Sequence, residues 1–368
     1  MFVSLREIWR SKLKFGLLAA AVGLLFFLLL FLSTLSGSLV ASFVGGIENA
    51  NADLLVFSSD ARRNVQASRF SPDAIADVAA VEGVASAAGM SETTLTVEID
   101  GNREDLSLWG TEPGQPGDVP VTEGRAAGSG EIVMDRSAKA LGFDIGTSIL
   151  LIETGLTLEI VGFTDDRQYS VLPTGYTPSE VWNEVFFATF PGVPEAPVSI
   201  IAANVASEDQ PDAIAGTITS TVPNTDAATP EEAASSTPGV SSISTSFNLI
   251  LGITFSIVVI VIGFFFSILA VQKRQTFALL RAVGTSRPTV VFGIVAQIVI
   301  TTGLGIAAAV VLLQATVSLS GDGLPLTISV PVVGVASLAV LLGSILSGAF
   351  AARKALEIDP MSAAQGGA

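Results

Sequence analysis

The run FGLLAAAVGLLFFLLLFLSTLSGSLVASFV, residues 15–44, decides how the rest of the chain is read. It is thirty residues long and carries no charge, whereas a helix needs only about 20 apolar residues to cross the hydrocarbon core of a bilayer. Basic residues precede it, and Leu39-Val40-Ala41 loosely resembles a signal cleavage site. The run exceeds the ~7–15 apolar residues of a signal, so it reads as a retained membrane span.

Working outward, three further runs of this kind follow at 247–271, 290–319 and 330–352. No Asp, Glu, Lys or Arg interrupts any of the four, and Gln297 and Gln314 are strongly polar positions within the third. An ion path or proton relay would need ionisable groups there, so neither is expected. Small residues recur four apart (Gly263/Ser267, Gly305/Ala309, Gly343/Ser347, Ser344/Gly348), the spacing that lets helices approach closely, within one chain or with a second copy.

Charge gives the expected orientation. Of 18 Lys and Arg, ten fall in three short segments: Arg6, Arg10, Lys12 and Lys14; Lys273, Arg274, Arg281 and Arg287; Arg353 and Lys354. The positive-inside rule places these segments, and both termini, in the cytoplasm and residues 45–246 outside. That outer segment holds eight basic and thirty acidic residues, a net charge of −22. The overall −16 averages two opposite surfaces, and an acidic outer domain argues against nucleic acid as a partner.

There is no cysteine and no histidine. Disulfides, thiol chemistry, a His-based triad and the usual zinc sites are excluded, and no metal site is expected. None of the five lysines stands in a phosphate-loop pattern, so any ATP would be bound by a separate chain. The expectation is a non-enzymatic membrane subunit.

Strand-like runs recur outside: 53–57, 93–99, 105–109, 131–134, 147–152, 156–163, 185–190 and 198–205. The word Pro72-Asp73-Ala74-Ile75-Ala76 returns as Pro211-Asp212-Ala213-Ile214-Ala215, and Ser71-Pro72-Asp73 is a helix start. The fold class expected is an all-α four-helix transmembrane domain in a 1+3 layout with an α+β extracytoplasmic domain. Two βαβ units, about 53–99 and 198–229, would form its membrane-proximal lobe, and about 100–190 a mostly β insertion. The remaining boundaries are an amphipathic cytoplasmic helix at 1–14, spans at 15–44, 247–271, 290–319 and 330–352, an outer domain at 45–246, a cytoplasmic segment at 272–289 and a tail at 353–368. Residues 221–246 read as a linker or a last helix.

The cytoplasmic segment runs VQKRQTFALLRAVGTSRP, residues 271–288: a basic exit, a short helix with Phe277, Leu280 and Gly284 on one side, a glycine stop, and a re-entry capped by Ser286. A short amphipathic helix of this kind suits a groove in a partner, or anchors at the interface. The string Leu279 to Ser286 resembles the ATPase-contacting segment of FtsX-like ABC transporter permeases, the superfamily that includes MacB-type exporters. Ile358-Asp359-Pro360 and Leu5-Arg6-Glu7-Ile8-Trp9-Arg10 resemble that family's C-terminal ending and its first cytoplasmic helix. Gln275 and Gln365 depart from its usual acid and base.

The resemblance implies two copies of the chain, each docking one ABC ATPase subunit through Lys273, Arg274, Phe277, Leu280, Arg281, Gly284 and Ser286. ATP, used by the partner, would move the outer domains and export or extract a hydrophobic substrate from the outer leaflet. The alternative is a mechanical signaller that activates an extracytoplasmic partner such as a cell-wall hydrolase. Residues 52–62 resemble the branch containing haem-exporting permeases, which makes haem a candidate substrate. Without His or Cys, its iron would need Met, Tyr or a carboxylate. Glu48 and Met90 are the candidates, beside Phe26, Phe27, Phe31 and Phe43, and each has a plainer reading: solvated stalk, domain core, lipid contact.

Overall fold

A computed structural model describes residues 11–206, 210–272, 286–320 and 330–356. The chain divides into two compact units, one built on residues before Gly37 and after Thr245 and the other on Gly37–Thr245.

The outer unit has two lobes. β1 (Leu54–Ser58), α2 (Asp73–Ala79) and β2 (Val84–Ile99) form its first βαβ unit; β9 (Ile200–Val205), α4 (Pro211–Thr221) and β10 (Thr225–Ala228) form its second. Both copies of the Pro-Asp-Ala-Ile-Ala word therefore open helices. The strands lie in the order β10-β1-β9-β2, every neighbour antiparallel. Each crossover skips a strand that the other unit fills, which is the split-βαβ arrangement of ferredoxin-like domains. Leu54, Val56, Val78, Ile201, Ala203, Ile218 and Ala227 pack between sheet and helices.

The second lobe is inserted between β2 and β9. It contains β3 (Asn102–Thr111), β4 (Glu123–Gly124), β5 (Glu131–Asp135), β6 (Ser148–Leu151), β7 (Thr157–Thr164), β8 (Thr174–Pro178) and α3 (Ser179–Thr189). β6 pairs with both β7 and β2, so the circuit β2-β3-β8-β5-β7-β6 closes on itself as a small barrel. Closure leaves these strands few unpaired edges. Alternate side chains fill the interior: Leu95, Val97 and Ile99 from β2, with Leu106, Leu108, Ile132, Met134, Ile149, Leu151, Leu158 and Ile160.

The insertion is less purely β than the sequence suggests. Residues 185–190, expected as a strand, belong mostly to α3, whose Val181, Trp182, Val185 and Phe186 recur at helical spacing and are buried. Gly110 makes room for this helix, because a Cβ there would lie 2.6 Å from that of Trp182. β2 also begins nine residues before the expected strand at Thr93.

Among the described residues, four helices are long and apolar enough to cross a membrane: α1 (Lys12–Glu48), α6 (Val240–Gln272), α7 (Arg287–Ser320) and α8 (Val330–Leu356). The stretch expected as a linker holds β10, α5 (Pro230–Ser236) and the start of α6. Within the transmembrane unit Val22, Phe26, Leu30, Ile262, Phe266, Ile298, Leu313 and Val340 form a buried core, while Leu17, Leu24, Leu28, Phe264 and Leu346 face outward. The small residues are used inside the chain: Gly23 meets Gly305 backbone to backbone, Gly263 meets Ser347, and Gly348 meets Ile298.

Candidate functional site

α1 has 37 residues where about 20 would span a bilayer, and its last turns lie in the outer unit. There the loop 165–172, between β7 and β8, is bonded along it. Gly46 N–H donates to the Gln168 carbonyl at 3.0 Å, while the Ser42 carbonyl, its regular partner in an α-helix, accepts Val171 N–H at 2.9 Å. Ser170 N–H donates to Phe43 O at 3.0 Å, and Asn49 Nδ2 to Asp166 O at 2.6 Å. Val44 and Tyr169 consequently form an antiparallel bridge.

Such close approach requires the glycine pair. A Cβ at Gly45 would stand 2.8 Å from Asp166 O, and one at Gly46 2.9 Å from the Tyr176 hydroxyl oxygen. The loop is fixed from behind: Asp135 Oδ2 accepts Arg167 N–H at 2.7 Å, Tyr176 Oη donates to Arg167 O at 2.7 Å, and Thr174 Oγ1 accepts Tyr169 N–H at 2.9 Å. Burial raises the pKa of the Asp135 carboxyl although Ser137 and Arg167 N–H donate to it, and burial raises Tyr176 as well. Asp166, Ser170 and Val171 hold φ of 56°, 55° and 61°. For the β-branched Val171 this is a strained conformation that the surrounding bonds impose.

Beneath the clasp lies an aromatic core. Trp109 meets Tyr169 edge-on with centroids 5.2 Å apart and stacks on Tyr176 at 6.2 Å. Val44, Ile47, Leu55, Phe57, Met90 and Val240 join them. The outer end of α1 and the first residue of α6 thus share one core, so a displacement of either helix end must be felt by strands of both lobes.

A cleft of about 640 Å³ opens between the lobes, bounded by Pro72 and Ile75 at the start of α2, by Gly89 on β2, and by Asn183 and Phe187 on α3. Glu112 and Glu195 stand at its rim.

Of the positions expected to bind haem, Glu48 closes α1 and Met90 lies on β2. Met90 is 1 % exposed and packed in the aromatic core, so its thioether faces no outside ligand, whereas Glu48 is exposed. Phe43 packs against the same core; Phe26 is buried in the transmembrane unit, and Phe27 stacks on Phe31. Of the ATPase-contact positions, Lys273, Arg274, Phe277, Leu280, Arg281 and Gly284 lie outside the described residues. Ser286 precedes α7 with its hydroxyl 2.8 Å from that of Thr289. Among the described residues, no group of three or more acidic side chains is placed to hold a metal. In the sequence the clasp has one signal, the Gly45-Gly46 doublet closing an apolar run, which by itself does not name the loop it meets.

Four membrane-length helices and a large two-lobed α/β domain define a membrane protein with a large extracytoplasmic region. The MacB-like periplasmic core domain family matches residues 15–221, and the FtsX-like permease C-terminal family matches residues 248–360. The first match covers more than half of the chain, which belongs to the FtsX/MacB-type permease family of ABC transporters. Among solved structures the chain is similar to the extracellular domain of the noncanonic ABC-type transporter YknZ from Gram-positive bacteria, at 17% identity over 44% of this chain and 88% of that one, with a TM-score of 0.32. It is also similar to the periplasmic region of MacB from Actinobacillus actinomycetemcomitans, at 11% identity over 50% of this chain and 91% of that one, with a TM-score of 0.36.

Proposed function

We propose that this chain is the membrane subunit of an ABC transporter in which a separate ATPase drives movement of the outer domain, exporting or extracting a hydrophobic substrate from the outer leaflet. The observation that carries the reading is the clasp, in which the continuous helix α1 ends in backbone bonds to loop 165–172. A helix transmits axial and rotational displacement along its length. The Asp135, Tyr176 and Trp109 contacts give that displacement a rigid seat in the outer domain.

In this reading the basic segments around Lys14, Lys273 to Arg287 and Arg353 are cytoplasmic, in a 1+3 layout, and two copies each engage one ATPase through Lys273 to Ser286. The charge-free spans favour a substrate that moves along the outer leaflet over one that crosses through a wet pore. Family membership supports the ATPase partner. Haem gains no support from the geometry, because Met90 is enclosed.

The test is co-purification and reconstitution with the cognate ATPase. Leu280→Asp should abolish ATPase co-purification while the chain still inserts. Gly46→Val should leave ATP hydrolysis in place and abolish transport. If Leu280→Asp leaves assembly intact, or Gly46→Val lowers hydrolysis and transport equally, the coupling route is wrong. Native cysteine is absent, so single cysteines at Ser11 and Asn102 report sidedness to an impermeant maleimide in intact cells: only the latter should label.

A further inference from the structure

β2 belongs to both lobes, and half of it has an open edge. Residues 91–99 pair with β3, but along residues 84–90 the partner is β9 alone. Among the described residues no strand takes the other edge. Successive residues of a strand point to opposite faces, so a cleft lined by Ala87, Ala88 and Gly89 in succession meets this strand at its edge. The edge residues are small, Val84-Ala85-Ser86-Ala87-Ala88-Gly89, and leave the backbone reachable. Across the cleft stands α3, presenting Asn183 and Phe187.

A groove between a strand edge and a helix admits an extended peptide as one more strand. Ile75 and Val198 flank Gly89, and with Phe187, 41 % exposed, they offer an apolar seat for a side chain. The charge of the groove selects its occupant. Glu112 and Glu195 line it, no Lys or Arg does, and neither carboxylate has a salt bridge among the described residues. The surrounding outer segment carries −22. We propose that the cleft takes up an extended segment of a partner protein, about six residues of alternating basic and apolar character, as an added strand on residues 84–90 of β2. Apolar side chains would turn toward Ile75, Val198 and Phe187, and basic ones toward Glu112 and Glu195. This reading does not depend on which ATPase the chain engages or on what it moves.

The full chain in lipid nanodiscs would be titrated with a fluorescent, acetylated and amidated peptide of alternating valine and lysine, empty nanodiscs being subtracted. Saturable binding is expected, weakened at least about tenfold by Glu112→Gln with Glu195→Gln, and likewise by Phe187→Ser. Methylating alternate peptide nitrogens should abolish binding in one register and spare it in the other, because only one set of N–H groups faces β2. Hydrogen exchange should slow along residues 84–90. Near-ultraviolet circular dichroism of Trp109 and Trp182 establishes that each variant is folded. The proposal is overturned if a glutamate-for-lysine peptide binds equally, if both methylation patterns bind equally, if no saturable binding occurs to folded protein, or if tetraphenylphosphonium binds in the cleft where the peptide does not.

Discussion

Gly46 lies directly against Tyr176: a Cβ on the glycine would stand 2.9 Å from the tyrosine hydroxyl oxygen, which is already committed to the Arg167 carbonyl at 2.7 Å. Tyr176 is buried on a strand, so the loop and not the ring must yield to any side chain at this position. Overpacking of this kind costs about 1–3 kcal/mol. Gly46→Val should therefore lower the melting temperature of the outer domain by several degrees, read by near-ultraviolet circular dichroism. Gly37→Val, with nothing within 4 Å of the added Cβ, should leave it unchanged.

Arg63 ties the first lobe to the segment that leads into α6. Its Nε and Nη2 donate to Asp226 at 2.9 and 3.0 Å, and its Nη1 to Glu232 and Ser236 at 3.0 and 3.1 Å. The Asp226 bonds hold the guanidinium pKa up against burial. Hydrogen bonds to charged groups are worth about 1.5–3 kcal/mol, less here because Glu232 is more than half exposed. Arg63→Met should lower the melting temperature by roughly 3–6 °C. Arg63→Lys should recover little, since a lysine lacks the planar fork.

Glu92 lies where β2 passes from one lobe to the other and is 4 % exposed. Burial raises its pKa, outweighing the hydrogen bonds from Ser107 Oγ at 2.9 Å and Thr94 Oγ1 at 3.2 Å and the attraction of Arg69. A carboxyl whose folded pKa exceeds its unfolded value binds more protons in the native state, so its contribution to stability declines as pH rises from about 4.3 through the raised folded value. Glu92→Gln keeps an acceptor for Ser107 and removes the charge. Melting curves across pH should show the variant more stable than the parent above that window and no better below it.

In the transmembrane unit Gly23 and Gly305 touch through their backbones, a Cβ on Gly305 falling 2.9 Å from Ala19 O. Gly305→Leu should force α1 and α7 apart and lower resistance to detergent-induced unfolding by about 1–3 kcal/mol. Gly303→Leu, two residues away with open space, is the matched control and should be neutral.

The sequence was most legible where one physical signal acted alone. Length and the absence of charge are enough to place four long apolar helices, although α1 continues to Glu48, where its last turns are bonded to loop 165–172. Thr93 to Ile99 alternates, and it is a strand with Leu95, Val97 and Ile99 inside. The preceding Val84 to Met90 carries no such signal because alanine, serine and glycine have weak strand propensity; β9 imposes the strand there. Val185-Phe186-Phe187 reads as a strand locally, yet Val181 and Trp182 one turn earlier complete a helical face that the barrel buries. The clasp and the cleft are not legible as sites, since each brings together segments far apart in sequence, and the Gly45-Gly46 doublet marks only one side of the clasp.

One strand serving two sheets also fixes how the lobes relate. Sixteen continuous residues of β2 join them, and Trp109, Tyr169 and Tyr176 of the inserted lobe pack with Leu55, Phe57 and Ala202 of the first, so strand and core together hold the two. A substitution in that shared core is therefore felt in both lobes at once, whereas one on the solvent face of either lobe is felt locally.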